Sequence, residues 1–189
     1  FVSSQMSPII SASATPDMAG IYILTITNDS DCTDTAQTRV YVYDAPVANA
    51  GTGGTECDMD FILDAQPSVG IGLWTMVSGP GTAVFNPAPE APNARVTVSA
   101  YGTYTFRWTE TNGPCSDDAS VTVNFYQSPL ADAGTGGTEC DMDFILNAQP
   151  SVGKGLWTMV SGPGTAAFDP SPEAPNARVT VSAYGTYTF

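Results

Sequence analysis

The eleven residues GTGGTECDMDF occur twice in this chain, at 51–61 and again, unchanged, at 134–144. Glycines, a cysteine and two aspartates are residue types that hold phosphate, bind metal or form disulfides. A phosphate loop requires a helix N-terminus after the glycines, whose N–H groups and dipole bind the anion. Here acidic residues and the strand-like segment FILDA come next instead. We therefore interpret the run as the opening segment of a repeated module.

Four aspartates close to the cysteines are the candidate metal ligands of this sequence. They are Asp58, Asp60, Asp117 and Asp118. Calcium takes about six to eight oxygen ligands, so clustered carboxylates in an extracellular chain favour this ion. The spacing is not that of an EF-hand, however, and acidic residues at sheet edges also prevent aggregation. Calcium is therefore one of two interpretations of these acids, and no cofactor is required.

The cysteines predict disulfides rather than a zinc site, because the chain contains no C-x-x-C pair. The simplest pairing joins Cys57 to Cys115 within one repeat, and Cys32 and Cys140 then have partners outside the chain. In a standard sandwich these two turns lie at opposite poles, about 30 Å apart. A disulfide needs Cα atoms within about 7 Å, so bridges between neighbouring modules are the alternative. The sequence leaves both pairings open.

Composition excludes several classes of function. Five basic and nineteen acidic residues give a net charge of −14, which repels nucleic acid and anionic membrane surfaces. No apolar run approaches the roughly 18 residues that span a bilayer, so we expect no membrane insertion. The chain has no histidine, and its single lysine, Lys154, corresponds to Ile71 in the other repeat. Without the commonest general base, the sequence does not predict an enzyme.

The repeat defines the domain organisation. Residues 51–106 and 134–189 align at an offset of 83 residues with five differences. Residues 20–51 follow the plan of 102–134 more distantly. We therefore predict the C-terminal part of one module, a complete module and the N-terminal part of a third, with short seams at Pro46 and Pro129. Their bounds are 1–45, 46–128 and 129–189, and the five differences are Asp64/Asn147, Ile71/Lys154, Val84/Ala167, Asn86/Asp169 and Ala88/Ser171.

The hydrophobic pattern within one repeat alternates, which is typical of half-buried β-strands. One face carries Tyr104, Phe106 and Trp108 in the first long segment and Val121, Val123 and Phe125 in the next. About seven short strands in roughly 83 residues predict an all-β, immunoglobulin-like two-sheet sandwich, repeated in tandem. A core tryptophan at 74 fits this fold. DMAGIY (17–22) and SAYGTY (99–104) each predict a tyrosine corner where a strand begins.

The motifs AxAGxxxTxC (48–57), GxWTxVSGPGTAxF (72–85) and YGTYTFRWTxTNGPCxDD (101–118) resemble the PKD-like, immunoglobulin-like repeats of very large secreted proteins of the Bacteroidota. Such proteins include gliding-motility adhesins and other surface proteins exported by the type IX system. The resemblance implies an extracellular, cell-surface location. The aspartate-rich loop of true PKD domains is absent after Trp74, so expectations about that loop do not apply. Asp34–Thr35–Ala36 resembles the O-glycosylation motif of this phylum, and Asn28 begins an N-glycosylation sequon.

These features predict non-catalytic stalk or adhesion repeats of a long surface protein, which provide reach and multivalent attachment. The expected partners are neighbouring modules of the same chain and surface glycans or other cells. Two alternatives remain open at this stage. One is an extracellular fibre or surface-layer subunit that assembles head-to-tail by strand complementation. The other is a carbohydrate-binding accessory module of a secreted enzyme, with Tyr101 and Tyr126 as candidate stacking residues.

Overall fold

The computed structural model describes residues 9 and 11–189, and its regular structure is almost entirely β. Residues 1–8 and 10, which belong to the predicted first module (1–45), lie outside the described residues. One short 3-10 helix, Pro16–Met18, precedes the first strand. The strands are β1 (Gly20–Thr27), β2 (Thr33–Val40), β3 (Gly54–Glu56), β4 (Asp60–Ile62), β5 (Ile71–Ser78), β6 (Ala83–Asn86), β7 (Arg95–Val98), β8 (Gly102–Asn112), β9 (Cys115–Phe125), β10 (Asp143–Ile145), β11 (Ala166–Asp169) and β12 (Arg178–Val181).

Two compact units divide the chain, one ending at Tyr126 and the other beginning at Gln127. The first unit contains a complete sandwich built from β3 to β9. A four-stranded sheet in the order β3-β9-β8-β5 faces a three-stranded sheet in the order β4-β7-β6. All neighbours are antiparallel except β3 and β9, which are the first and last strands and run parallel. These seven strands confirm the predicted immunoglobulin-like sandwich.

The core of this sandwich lies beneath the two long strands β8 and β9. Their alternation places Tyr104, Phe106 and Trp108 inside, together with the inward residues of β9, as predicted. Trp74 of β5 is also buried, and its ring centroid lies 5.2 Å from that of Trp108. Burial of each such large side chain stabilises the fold by about 1.5–3 kcal/mol. The inward residues of β9 are Val121, Val123 and Phe125.

Both predicted tyrosine corners are present. The Tyr104 hydroxyl donates a hydrogen bond of 2.9 Å to the carbonyl of Ala100, four residues upstream. The Tyr22 hydroxyl bonds Met18 in the same way at 2.7 Å. Tyr187 forms a third corner in the second unit. The three corners identify β1, β8 and the segment at Tyr187 as the same strand of the module.

The β1–β2 hairpin is consequently the counterpart of the β8–β9 hairpin. Its strands pair antiparallel from Gly20↔Val40 to Thr27↔Thr33. The positions that β8 buries are exposed here, with Leu24 62% and Ile26 61% exposed. The hairpin therefore presents to solvent the apolar face that its counterpart buries.

The second unit repeats half of the sandwich. β12 pairs with both β10 and β11, so that Val179 lies opposite both Phe144 and Phe168. Val96 of β7 lies opposite Phe61 and Phe85 in the same way. Val179 is buried and Trp157 only half-buried. The second unit therefore has the same three-stranded sheet as the complete module, with the same side chains on its inner face.

We predict that Tyr104→Phe destabilises the complete sandwich by about 0.5–1.5 kcal/mol, because it removes one intramolecular hydrogen bond and leaves the packing intact. Urea unfolding followed by tryptophan fluorescence measures this change, since Trp74 and Trp108 both lie in this core. Tyr126→Phe is the matched control, because that side chain is 58% exposed. Equal midpoints for the two variants would contradict the role of the corner.

Candidate functional site

The candidate functional site is the seam, residues 44–48, through which the chain passes from the first hairpin into the complete sandwich. The backbone N–H of Val47 donates to the Ser68 hydroxyl at 2.8 Å. The next N–H, of Ala48, donates to the carboxylate of Asp117 at 2.9 Å. Residues far along the chain thus provide the hydrogen-bond partners of two successive seam amides. This arrangement holds the seam in one path.

The seam is also held on the side of the preceding hairpin. The Asn112 side-chain amide donates to the Asp44 carbonyl at 3.0 Å. Gly113 has a φ of 59°, and a Cβ at this position would lie 2.5 Å from the Tyr43 ring. Gly113 is therefore required twice, for its left-handed backbone and for the close approach of the ring. The turn between β8 and β9 therefore contacts the incoming chain through both Asn112 and Gly113.

A buried carboxylate connects this seam to the core. Glu110 is 1% exposed, and its two oxygens accept from different partners. One oxygen accepts from the N–H of Ser68 at 2.9 Å and from its hydroxyl at 2.5 Å. The other accepts from the indole Nε1 of Trp108 at 2.8 Å. Because the same Ser68 hydroxyl accepts from Val47, one continuous network joins the seam to the central tryptophan.

The network also determines the charge state of Glu110. Burial by itself raises the pKa of this carboxyl. Hydrogen bonds from the Ser68 hydroxyl and N–H, from Trp108 and from the backbone of Val69 outweigh burial, so that the pKa lies below its ordinary value. The group is therefore held as a carboxylate, which accepts hydrogen bonds only.

Sequence reasoning missed this network, although the sequence carries a signal for it. Along β8 the buried positions alternate through Tyr104, Phe106 and Trp108, and the next position of the same parity is Glu110. A charged residue at core parity in a strand is uncommon unless it has a partner. The partner, Ser68, lies 42 residues earlier in a loop. Only the folded chain could identify it.

The second unit repeats the entry to the seam. The N–H of Leu130 donates to the Ser151 hydroxyl at 2.7 Å, as Val47 does to Ser68. Gly134 has the same φ of 72° as Gly51. The repeated geometry indicates that each module receives its incoming chain in the same way.

The glycines of the GTGG run have structural roles. A Cβ at Gly51 would lie 2.0 Å from the carbonyl oxygen of Asp64, and one at Gly53 would lie 1.9 Å from that of Thr122. Both distances are far below van der Waals contact, so no other residue fits. The run crosses closely packed backbone and then forms β3. This confirms its interpretation as the opening segment of the module.

The acids near β4 are occupied by protein partners. A carboxylate oxygen of Asp58 accepts from the N–H of Asp60 at 3.0 Å. Asp60 also forms an ion pair with Arg95. The second unit contains the same pair as Asp143 and Arg178, 2.7 Å apart. These contacts hold β4 against β7 and its counterpart β10 against β12.

The acids at the start of β9 lie at the other pole of the sandwich. Asp117 accepts from Ala48, and Asp118 pairs with Arg107 at 3.4 Å. Eight residues of β9, about 27 Å, separate Asp117 from Phe125, which lies beside the opening segment. The structure therefore does not bring Asp58, Asp60, Asp117 and Asp118 into one site. Among the described residues no group of three or more His, Cys, Asp or Glu side chains could hold a metal ion.

The same register corrects one cysteine pairing. Cys57 follows Glu56, which pairs with Phe125 at the end of β9, whereas Cys115 begins β9. The ten residues between Phe125 and Cys115 span about 33 Å. A disulfide needs about 7 Å, so a Cys57–Cys115 bridge within the module is incompatible with this fold. Bridges to neighbouring modules stay a prediction, as do the external partners of Cys32 and Cys140, both of which are exposed.

Both candidate glycosylation sites lie on the surface of the first hairpin. The Asn28 side chain accepts from the N–H groups of Ser30 and Cys32 and so shapes the turn. Thr35 is exposed on β2 opposite Thr25. Each is accessible to a modifying enzyme, and their modification stays a prediction.

No family model and no curated protein matches this chain. Among solved structures, an I-band fragment of titin has a TM-score of 0.49 and 12% identity, and it covers 89% of this chain. Extracellular domains 3–5 of Drosophila OTK have a TM-score of 0.47, 11% identity and 91% coverage of this chain. An endo-fucoidan hydrolase of glycoside hydrolase family 107 has a TM-score of 0.30 and 14% identity, and it covers 86% of this chain.

The chain spans 65% of the titin fragment, 64% of the OTK fragment and 29% of the hydrolase. These likenesses assign no activity to this chain. The functional assignment therefore depends on the seam and on the architecture of the complete sandwich.

We predict that Glu110→Gln lowers the stability of the complete sandwich by about 1–3 kcal/mol at neutral pH, because the single amide oxygen cannot accept from all the donors that surround the carboxylate. Since the folded-state pKa of Glu110 is lowered, its contribution is present above the ordinary pKa of glutamate. It is lost as pH falls through the lowered pKa. Urea midpoints of wild type and Glu110→Gln should therefore converge on acidification. Glu90→Gln, at an exposed position, is the control.

We predict that Tyr43→Ser loosens the seam without unfolding the sandwich, because the ring packs over Gly113 outside the core. Limited proteolysis should cleave residues 44–48 several-fold faster in this variant than in wild type. Tyr184→Ser is the matched control, since that side chain is 71% exposed and belongs to the second unit. Equal cleavage rates at the seam in all three proteins would contradict its role.

Proposed function

We propose that these modules form part of a non-catalytic stalk in a long extracellular surface protein. The observation that carries the proposal is the seam network, in which Val47 and Ser68 connect the incoming chain to buried Glu110. A stalk has to transmit position and force from one module to the next. A hydrogen-bonded seam that is anchored in the core serves that requirement better than a flexible linker.

The strand arrangement supports a load-bearing role. β3 and β9 are the first and last strands of the complete module, and they pair in parallel from Gly54↔Val123 to Glu56↔Phe125. Tension applied at the two ends of the module therefore pulls these strands along their lengths in opposite directions. Such shear loads their interstrand hydrogen bonds together rather than one after another. The module thus resists extension where the force enters and leaves.

The extracellular location and the adhesive role belong to the same proposal. The high acidic charge and the resemblance to surface proteins of the Bacteroidota, including those exported by the type IX system, support them. Within the described part of the chain, no helix has the length and apolar character needed to cross a membrane. Attachment to glycans or other cells would come from multivalency or from other domains of the same protein. Calcium binding stays a prediction, either at Asp58 and Asp60 or at Asp117 and Asp118.

Carbohydrate binding by this module is the weaker alternative. The candidate stacking residues Tyr126 and Tyr101 are 58% and 38% exposed, respectively, whereas Trp108 is buried in the core and cannot stack on a sugar.

We predict that adding complete 83-residue repeats extends the molecule linearly, by about 40 Å per module, as the length of its longest strands indicates. Small-angle scattering of chains with two, four and six added repeats measures the maximum dimension. Tyr43→Ser together with Ser68→Ala, introduced at every equivalent seam, should shorten it. Growth with the square root of repeat number in the unaltered array would contradict a stiff stalk.

A further inference from the structure

The turn between β8 and β9 contains the one asparagine of this chain that is followed by glycine, Asn112–Gly113. The other seven asparagines are followed by Ala, Asp, Pro or Phe. Asparagine before glycine is especially susceptible to spontaneous deamidation, because no side chain on the next residue hinders attack by its backbone nitrogen. Asn112 is half-buried and Gly113 is exposed. A chemically reactive pair therefore lies in the turn that contacts the seam.

The reaction takes place within this pair and needs only water. The backbone nitrogen of Gly113 gives its proton to hydroxide and attacks the side-chain Cγ of Asn112. A bond forms between this nitrogen and Cγ, the bond from Cγ to Nδ2 breaks, and Nδ2 leaves as ammonia with a proton from water. Water then opens the cyclic imide at one of its two carbonyl carbons. The residue at position 112 becomes aspartate, or isoaspartate when the backbone carbonyl is the one opened.

The closed seam holds Asn112 away from the geometry of attack. Its Nδ2 donates to the Asp44 carbonyl at 3.0 Å, which fixes the side chain on the seam. Asn112 is also the last residue of β8 and pairs with Cys115 of β9. The extended backbone of a strand turns the next nitrogen away from the side chain. Because the reacting atoms must approach within about 3–3.5 Å in the right orientation, the folded turn is poorly arranged for the reaction.

The Tyr43 ring restrains the other half of the pair. A Cβ at Gly113 would lie 2.5 Å from this ring, so the ring lies directly against the glycine. Movement of the Gly113 nitrogen towards Asn112 therefore requires displacement of the ring. Asp44 begins the seam and Tyr43 immediately precedes it. Opening of the seam consequently removes both restraints together.

The product cannot restore the original contact. A carboxylate has no donor, so aspartate at position 112 cannot donate to the Asp44 carbonyl, and the two acceptors repel each other. Isoaspartate also lengthens the backbone of the turn by one carbon and so disturbs the pairing with Cys115. Either product adds negative charge to a chain whose net charge is −14. Each of these changes favours the open seam.

We propose that Asn112–Gly113 is a self-modification site that the closed seam protects. Opening of the seam frees Asn112 to react, and the product then prevents the seam from closing in its original form. The pair thereby converts a reversible opening into a permanent one. This inference is independent of the stalk proposal, because it concerns the reactivity of the seam and not the task of the modules.

Peptide mapping of the 189-residue chain by mass spectrometry measures the reaction, because conversion of an amide to a carboxyl changes the mass and isoaspartate separates chromatographically. Asn112 should convert slowly in folded wild type and several-fold faster in Tyr43→Ser at the same pH and temperature. Tyr184→Ser, 71% exposed in the second unit, is the matched control and should react as wild type does. Equal rates in Tyr43→Ser and wild type would overturn the proposal.

Tyr104→Phe separates opening of the seam from unfolding of the sandwich. This variant loses the hydrogen bond to the Ala100 carbonyl and leaves the contacts of Asn112 and Gly113 intact. Conversion of Asn112 should therefore stay close to the wild-type rate, although the sandwich is less stable. An acceleration equal to that of Tyr43→Ser would show that the reaction proceeds through global unfolding and would overturn the proposal.

Asn112→Asp tests the consequence, because it introduces one of the two products directly. Limited proteolysis should cleave residues 44–48 several-fold faster in this variant than in wild type. Asn93→Asp is the matched control, since it makes the same charge change at an exposed position away from the seam. Equal cleavage of Asn112→Asp and Asn93→Asp would show that the product does not hold the seam open and would overturn the proposal.

Discussion

The packing of Trp108 against Trp74 is the contact on which the rest of the complete module depends. The two ring centroids lie 5.2 Å apart and join β5, an edge strand of the larger sheet, to β8. Gly72 is required beneath the Trp108 ring, because a side chain there would overlap it. The same indole donates to Glu110 and so starts the network that reaches the seam. Core packing and connection to the neighbouring module therefore share one residue.

The buried carboxylate of Glu110 gives this module a specific rather than a merely apolar junction. A charge that is almost fully buried is tolerated only when donors surround it, as Ser68, Val69 and Trp108 do here. The donors come from two different structural contexts: the loop at Ser68 and Val69, and the core indole. The network consequently links the path of the seam to the packing of the core. A substitution that disrupts the seam should therefore also lower the free energy of unfolding of the sandwich.

The two units illustrate what β8 and β9 contribute to the fold. Trp74 is buried between the two sheets of the complete module, whereas its counterpart Trp157 is half-buried. The three-stranded sheet has the same register in both units. This is expected, since its pairing is local and its short strands share the central β12. The large aromatic residues, by contrast, need both sheets.

The sequence by itself determined the strands and the repeat. Alternation identified the buried faces of β8 and β9, the 83-residue period located the modules, and two tyrosines marked the start of equivalent strands. These properties are local, because side-chain period and turn chemistry act over a few residues. The GTGG run was likewise interpreted correctly as structural, because acidic residues and a strand, rather than a helix, come after it in the chain.

The tertiary structure alone decided which distant residues meet. It separated Cys57 from Cys115 and placed the two acid pairs at opposite poles, because the parallel register of β3 on β9 puts them at opposite ends of a long strand. It also joined Glu110 to Ser68 across 42 residues. Such contacts depend on sheet order and register, which the pattern of a single sequence leaves open, since many pairings satisfy the same alternation of apolar residues.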